Sequence, residues 1–543
     1  MRIKLNVHIQ QTATGSTTVR DATMSLLRAL GMTTVFGNPG STELAFLHDW
    51  PRDFRYILGL QESIVVAMAD GYAQATGTAA FVNLHSAAGV GHALGSVYTA
   101  YRNQTPLVIT AGQQTRDLMP LRPFLGAAAA AEFPRPYVKW SCEPARGADV
   151  PLAIAQAHHI AMQKPCGPTF VSIPADDWAQ QTQTLPLHVK SREFAPDPVL
   201  LRTVADAINV CQRPALVVGA GVACDNAADL VLALAETMQA RVWSAPLTSR
   251  SAFPEDHPLF AGFLPASPDP LYGVLGGYDL VLVLGAPAFT FHVTGNWECA
   301  QSSPVIYQIT DDPEAAATAL AATSILGTMR LATAALLELV AKRVGLLSSV
   351  RTPAARLSPT DPIAAAFVMQ TIADIRPSNS VIVEEAPSHK LALQRHLPIN
   401  NNAFYSVASG GLGYGLAAAA GIALADPSRH VICIVGDGSA MYSIQALWTA
   451  AHHRLPITYV VLNNGGYGAL RAFSQIMKFE DIPGIDLPSL DFVALALGHG
   501  CNACRVSRAA DLEITLHRAF SNSSPSLVEV VVDRTVPPLF TVD

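Results

Sequence analysis

The run Gly436-Asp437-Gly438 is followed by 24 residues and then by Asn463-Asn464, and these residue types suit a divalent cation. Asp437 offers a hard anionic oxygen and Asn464 a neutral amide oxygen. One backbone carbonyl and the oxygens of a phosphate would complete the octahedron that Mg²⁺ prefers. Gly438 and Ser439 open the stretch after the strand candidate His430 to Val435, where the free N–H groups of a helix start suit a diphosphate. Each half alone reads equally well as a tight turn; the pairing argues for a site. Other residues with chemical potential lie far off in sequence. Glu62 stands at a strand end and the start of the helix candidate Ser63 to Ala75, where a carboxylate also favours the helix dipole without any further role. Ser41 lies in Gly37-Asn38-Pro39-Gly40-Ser41-Thr42-Glu43-Leu44, His85 in Asn83-Leu84-His85-Ser86-Ala87-Ala88-Gly89, and His292 ends Gly285 to His292. A lone histidine is more often structural than catalytic. Leu412 sits among Gly410, Gly411 and Gly413, which allow close backbone approach but by themselves mark only a turn.

The elements that must position these residues alternate short apolar runs with amphipathic stretches. In the first part the strand candidates are Thr34 to Gly37, Tyr56 to Leu60, Ala79 to Leu84, Leu107 to Ala111 and Thr169 to Ile173. Ala215 to Gly219, Arg241 to Ser244, Leu280 to Leu284 and Val305 to Ile309 follow, with a helix over Asn226 to Gln239. The last set is Ser380 to Val383, His430 to Val435, Ile457 to Leu462 and Leu527 to Val532. This alternation predicts an α/β protein of three tandem doubly wound parallel-sheet domains. The proline-bearing stretches Pro186 to Pro198 and Gly345 to Pro362 read as linkers. The expected boundaries are a tail over 1–16 and domains over 17–190, 191–348 and 349–543. Both motif strings then fall at the carboxyl ends of parallel strands, where such sheets bind ligands.

Composition narrows the class. The 543 residues are 50% hydrophobic and only 14% charged, with a net charge of -7 and a mean hydropathy of +0.28. Large surfaces must be buried within domains and between subunits, which predicts a homo-oligomer. No basic run follows a phosphate backbone, so nucleic acid is not an expected partner. The most apolar stretch, Gly410 to Ala425, is short and rich in Gly and Ala, and no segment is expected to span a membrane. The start of the chain is polar and lacks the apolar core of a signal peptide, which predicts a cytoplasmic enzyme with a loose leading tail. Cys501 and Cys504 form a lone C-x-x-C without a second pair, read as two ordinary thiols.

Together the strings resemble the thiamine diphosphate dependent 2-oxo acid decarboxylases, and most of all the benzoylformate decarboxylases. Ala111-Gly112-Gln113-Gln114-Thr115-Arg116 and Tyr467-Gly468-Ala469-Leu470-Arg471 extend the likeness, which is looser in the middle part. The resemblance implies pyrimidine-binding, middle and diphosphate-binding domains. It implies that Asp437, Asn464 and the Gly466 carbonyl hold Mg²⁺, and that Gly438, Ser439, Tyr467, Gly468, Gly411 and Ser388 meet thiamine diphosphate. Leu412 would be the wedge that bends the cofactor, and Glu62 would hydrogen-bond its aminopyrimidine. Ser41 would bind the carboxylate of a 2-oxo acid, with His85 and His292 moving protons as CO₂ leaves and an enamine on the cofactor collapses to an aldehyde. Phe124, Leu125, Ala469 and Phe473 would join Leu412 around an aromatic ring. Ser406 falls where an aromatic residue is expected, which suggests a larger pocket or a hydroxylated ring. The family's site draws on two subunits, implying a homodimer and, as the usual assembly, a dimer of dimers. An acetolactate synthase-like carboligase would share the cofactor residues, although the histidine pair argues against it. The Gly219-Ala220-Gly221 run raises a dinucleotide-binding dehydrogenase, weakly, since the third glycine is missing. A scaffold that has lost catalysis fits poorly with intact Glu62, Asp437 and Asn464.

Overall fold

Runs of Val, Ile, Leu and Ala that are apolar on both faces are what a parallel sheet covered on two sides requires. The computed structural model, which describes residues 16–296, 304–344, 351, 354–400, 403–535 and 539, contains three such six-stranded sheets. Residues 1–15 of the expected tail, and 345–350, 352 and 353 of the second linker, lie outside the described residues. The end of the tail is tied down, because β1 (Ser16–Thr18) pairs antiparallel with β8 (Gln181–Gln183).

The first sheet consists of β2 (Thr34–Gly37), β3 (Arg55–Leu58), β4 (Ala80–Leu84), β5 (Leu107–Gln113), β6 (Ser141–Cys142) and β7 (Thr169–Pro174), in the order β3-β2-β4-β5-β7-β6. The second holds β9 (Pro214–Val218), β10 (Arg241–Ser244), β11 (Phe260–Phe263), β12 (Leu280–Leu284), β13 (Val305–Thr310) and β14 (Thr323–Leu326), ordered β11-β10-β9-β12-β13-β14. The third is built from β15 (Val381–Glu385), β16 (Phe404–Ser406), β17 (Val431–Gly436), β18 (Ile457–Asn463), β19 (Asn502–Val506) and β20 (Ser526–Val531), ordered β16-β15-β17-β18-β20-β19. Numbered within each unit, the first and third sheets share the order 2-1-3-4-6-5, whereas the middle one runs 3-2-1-4-5-6. The direction in which successive connections step across the sheet reverses between β2 and β4 and between β15 and β17, and crevices for ligands open at such points.

The first and third units are joined by two helices. Gly415–Ala425 carries almost nothing but Gly, Ala, Leu and Ile and is buried on every side, so it serves as an internal joint. It packs on Glu62–Thr76, and the contact is close enough to exclude side chains: a Cβ on Gly421 would stand 1.9 Å from the Met68 carbonyl oxygen, and one on Gly71 2.3 Å from that of Ala418. Among the described residues no helix is long and apolar enough to cross a membrane. Cys501 is buried, Cys504 is exposed, and both are free thiols.

Candidate active site

In the third unit the chain leaves β17 at Gly436 and turns directly into the short helix Asp437–Tyr442. Asp437 is buried, and its two carboxylate oxygens accept hydrogen bonds from the amides of Gly438 (2.7 Å) and Gly466 (2.9 Å). Burial holds this carboxyl above its ordinary range, against the opposite pull of those amides. Asn464, 4% exposed, has a buried Oδ1 with no hydrogen-bond partner. Its neighbour Asn463 is fully engaged, donating to Glu529 (2.7 Å) and accepting from the Gly465 amide (3.0 Å). The geometry thus separates the two asparagines that the sequence presents together. Gly465 and Gly466 have φ of 73° and 154°, and the Arg471 guanidinium donates to the Gly465 carbonyl (3.0 Å) and to Asp486 (2.6 Å). A Cβ on Gly438 would lie 2.5 Å from the Tyr467 ring. Gly468 begins the helix Gly468–Met477, which packs against the turn Pro387–His389 holding the half-buried Ser388. Ser439 is buried in the helix that follows Asp437.

The loop bearing Leu412 is pinned on both flanks. Ala408 donates its amide to Asn103 (2.9 Å), and the hydroxyls of Ser409 and Thr99 are 2.8 Å apart. On the other side the buried Glu385 carboxyl group accepts from the amides of Gly413 (2.6 Å) and Gly415. A Cβ on Gly411 would lie 3.6 Å from the Thr99 hydroxyl, so Gly411 and Leu412 hang between fixed ends.

In the first unit, Ser41 and His85 leave the neighbouring strands β2 and β4. His85 rests on Gly40, where a Cβ would come within 2.3 Å of its ring. Glu43, only 1% exposed, gathers this corner. One of its oxygens takes the Gly40 amide (2.8 Å) and lies 2.8 Å from His85 Nδ1; the other takes the Thr42 hydroxyl (2.7 Å) and the Gly112 amide (2.9 Å). A carboxylate on Nδ1 favours the tautomer with Nδ1–H and leaves Nε2 free to accept a proton. Glu43 was missed in the sequence because its partners lie 42 and 69 positions away, and the only signal was a carboxyl in an otherwise uncharged loop. Glu62 opens its helix on the same edge and contacts His92.

In the middle unit His292 follows β12, and its amide donates to the Ala266 carbonyl (2.9 Å). Its ring centroid is 4.9 Å from that of Phe473, while Ala469 and Phe473 lie one turn apart on Gly468–Met477. The middle histidine is thereby brought to the third unit's helix. Phe124 is 87% exposed within the chain, and Leu125 takes a positive φ of 65°. Ser406 is buried at the end of β16 and its hydroxyl donates to Glu384 (2.8 Å), which leaves its oxygen lone pairs as acceptors. The dinucleotide reading meets a physical obstacle. Gly221 donates its amide to the Gly285 carbonyl (2.9 Å), a Cβ on Gly219 would stand 2.5 Å from Ala286, and the helix behind them, Ala220–Cys224, is a little over one turn. Chain fills the crevice that a pyrophosphate would need.

Comparison with known proteins agrees with this arrangement. Residues 17–129, 201–336 and 386–530 match the N-terminal binding, central and C-terminal binding domain models of thiamine pyrophosphate enzymes. The chain is 41% identical over 527 residues to benzoylformate decarboxylase of Pseudomonas aeruginosa, covering 96% of this chain and all of that one. An acetolactate synthase large subunit of Parasynechococcus marenigrum is 29% identical over 98% of this chain and 89% of its own. Among solved structures, a benzoylformate decarboxylase from Polynucleobacter necessarius superposes with a TM-score of 0.93 at 38% identity. The thiamine diphosphate-dependent 4-hydroxybenzoylformate decarboxylase of Rhodococcus jostii gives 0.91 at 38%, and each covers 96% of this chain and all of its own.

Proposed function

The chain belongs to the thiamine pyrophosphate enzyme family, and from that premise we propose that it decarboxylates an aromatic 2-oxo acid of the benzoylformate type without oxidation, yielding an aldehyde and CO₂. The observation that carries this reading beyond the shared cofactor is the His85–Glu43 pair on the strand edge that also bears Ser41, with His292 beside Phe473. An imidazole held by a buried carboxylate and a second one beside an aromatic ring suit delivery of a proton at carbon, whereas a carboligase must hold a second oxo acid there.

The residues fit a metal-bound diphosphate. Asn464 Oδ1 is a buried acceptor without a partner, which is costly unless a donor or cation meets it, and Asp437 is a buried carboxylate that a divalent ion would compensate. Asp437, Asn464 and the Gly466 carbonyl would hold Mg²⁺. Gly438, Ser439, Tyr467 and Gly468 would line the diphosphate, with Ser388 alongside. When bound, thiamine diphosphate supplies the electron sink for loss of CO₂. The protein's own residues do the rest. Glu62 holds the aminopyrimidine, Leu412 sets its angle, and Ser41 orients the substrate carboxylate. His85, fixed by Glu43, donates and recovers a proton at Nε2, while His292 serves the product side. Phe124, Leu125, Ala469 and Phe473 enclose the ring.

A homodimer, paired into a dimer of dimers, is the assembly we assign. Glu62 meets Gly89 on the helix Ser86–Arg102, whereas the Leu412 loop meets Thr99 on that same helix. Glu62 also reaches His92, so seven to ten residues of helix, about 10–15 Å, separate the two points, and this offset within one chain supports a site completed by Glu62 of one protomer and the Leu412 loop of its partner. Benzaldehyde and CO₂ from benzoylformate, dependent on thiamine diphosphate and Mg²⁺ and abolished in Glu62→Gln, is the expected outcome of assay. Acetolactate from pyruvate without aldehyde from benzoylformate would overturn the reading. Sedimentation of the active enzyme should show dimers or larger, and an active monomer on dilution would refute the shared site.

A further inference from the structure

Glu62 is placed more specifically than a helix-start carboxyl needs. Its seat is one face of Ser86–Arg102, made by Gly89 and His92 three residues apart, which is a shared helical face. A Cβ on Gly89 would come within 3.1 Å of Oε1, so the bare glycine lets the carboxyl settle against the helix. The other oxygen, Oε2, is 3.1 Å from His92 Nδ1. The two side chains differ sharply in setting within the chain: Glu62 is 12% exposed and His92 63%. An exposed His–Glu pair has little value as a stabilising ion pair, and a helix that needed only to pack on Glu62 would not require an imidazole at that point. What an imidazole adds is a group that accepts a proton on one nitrogen and releases one from the other near neutral pH.

We propose that His92 is the relay through which Glu62 exchanges its proton with the surroundings of the site. This rests on Glu62 being the carboxyl that meets the cofactor's aminopyrimidine. In the outward step the protonated Oε2 of Glu62 gives its proton to Nδ1 of neutral His92, leaving a carboxylate and an imidazolium. The imidazolium then loses its Nε2 proton to water. Run backwards, the same two transfers reload the carboxyl, and nothing but a proton moves. His92 acts through Glu62 and is a positioning and relay residue, not one that touches substrate.

The test uses the whole enzyme loaded with thiamine diphosphate and Mg²⁺, without any 2-oxo acid, and follows hydrogen–deuterium exchange at the thiazolium C2 after dilution into D₂O, by acid quench and proton NMR. His92→Asn can still hydrogen-bond Oε2, accepting through its amide oxygen or donating through its N–H, but cannot take up a proton. It is expected to slow exchange at least about tenfold, with the dissociation constant for the cofactor changed by less than about twofold because the hydrogen bond persists. Unchanged exchange in His92→Asn, alongside slowed exchange in Glu62→Gln, overturns the relay and leaves the role of Glu62 standing. Unchanged exchange in Glu62→Gln removes that role and the relay with it.

Discussion

Glu43 shows how one buried carboxylate can organise a reactive corner. It accepts two backbone amides and a hydroxyl and meets His85 Nδ1, so its charge is compensated on all sides. Glu43→Gln keeps the shape but puts an amide donor where at least one acceptor is needed, loosening the imidazole and its tautomer. The expected result is a fall in kcat for benzoylformate of about 10²-fold, the scale of a lost proton-transfer group, with the far-ultraviolet circular dichroism and the cofactor affinity retained. A parallel loss of cofactor binding would show that Glu43 instead holds the strand edge itself. At this scale the sequence was informative wherever chemistry is local. Asp437 and Asn464 announce themselves through a fixed spacing, and they follow the neighbouring strands β17 and β18. Glu43, Glu385 and His92 act through partners on other elements, and no pattern of types within a short window records those pairings. The Ser406 hydrogen bond to Glu384, on the neighbouring strand, belongs to the same kind of pairing.

Strands inside a sheet are covered on both faces and paired on both edges, and they read as continuous apolar runs. Nearly every interior strand of the three sheets was legible in that way, from Thr34–Gly37 to Ser526–Val531, Arg241–Ser244 being half-buried on alternate residues. Apart from the β1–β8 pair, the strands that escaped are Ser141–Cys142, Phe260–Phe263, Thr323–Leu326, Phe404–Ser406 and Asn502–Val506, and all five lie at sheet edges. Edge strands pair on one side only and can be short and polar, so their periodicity is too weak to separate from loop. The apolar stretch Gly410 to Ala425 gave the opposite lesson. Its hydrophobicity was plain, but its role as the joint between the first and third units depends on small residues facing another helix. A methyl group on Gly421 has no space beside the Met68 carbonyl, and relief requires the two helices to move apart. Gly421→Ala should therefore destabilise the protein by about 1–3 kcal/mol, as overpacking does, read as a lower melting temperature in calorimetry. An unchanged melting temperature would mean that the helix crossing relaxes freely and is not the rigid joint described.

For the molecule as a whole, burial of ionisable groups sets limits on stability at both ends of the pH scale. Burial pushes Glu255 and Glu385 up to about 8 from 4.5, and His158, His389 and His430 down to about 4 from 6.5. Between pH 4.5 and 8 the folded chain keeps protons on the two glutamates that the unfolded chain has lost. Their contribution is fully present below pH 4.5 and declines as pH rises through this window. The histidines have the opposite sign: between pH 4 and 6.5 the unfolded chain binds protons that the folded chain refuses, so stability declines as pH falls. Asp311, raised by burial to about 6 from 3.8, acts with the glutamates, so below about pH 6 three carboxyls offset three histidines; between about 6 and 6.5 the histidines outweigh the two glutamates, and above about 6.5 the glutamates act alone. Stability should therefore peak near pH 6.5 and fall toward 8 with a slope of up to about 1.4 kcal/mol per pH unit for each glutamate. Thermal unfolding of the apoprotein in buffers from pH 5 to 8.5 measures this directly. Glu385→Gln removes one of the two alkaline contributions, and although the loss of an acceptor for Gly413 and Gly415 lowers its melting temperature throughout, the difference between pH 6.5 and 8.5 should narrow. If that difference stays as large as in the wild type, the alkaline limit comes from elsewhere, and the Glu385 carboxyl is already ionised beneath the Leu412 loop at neutral pH.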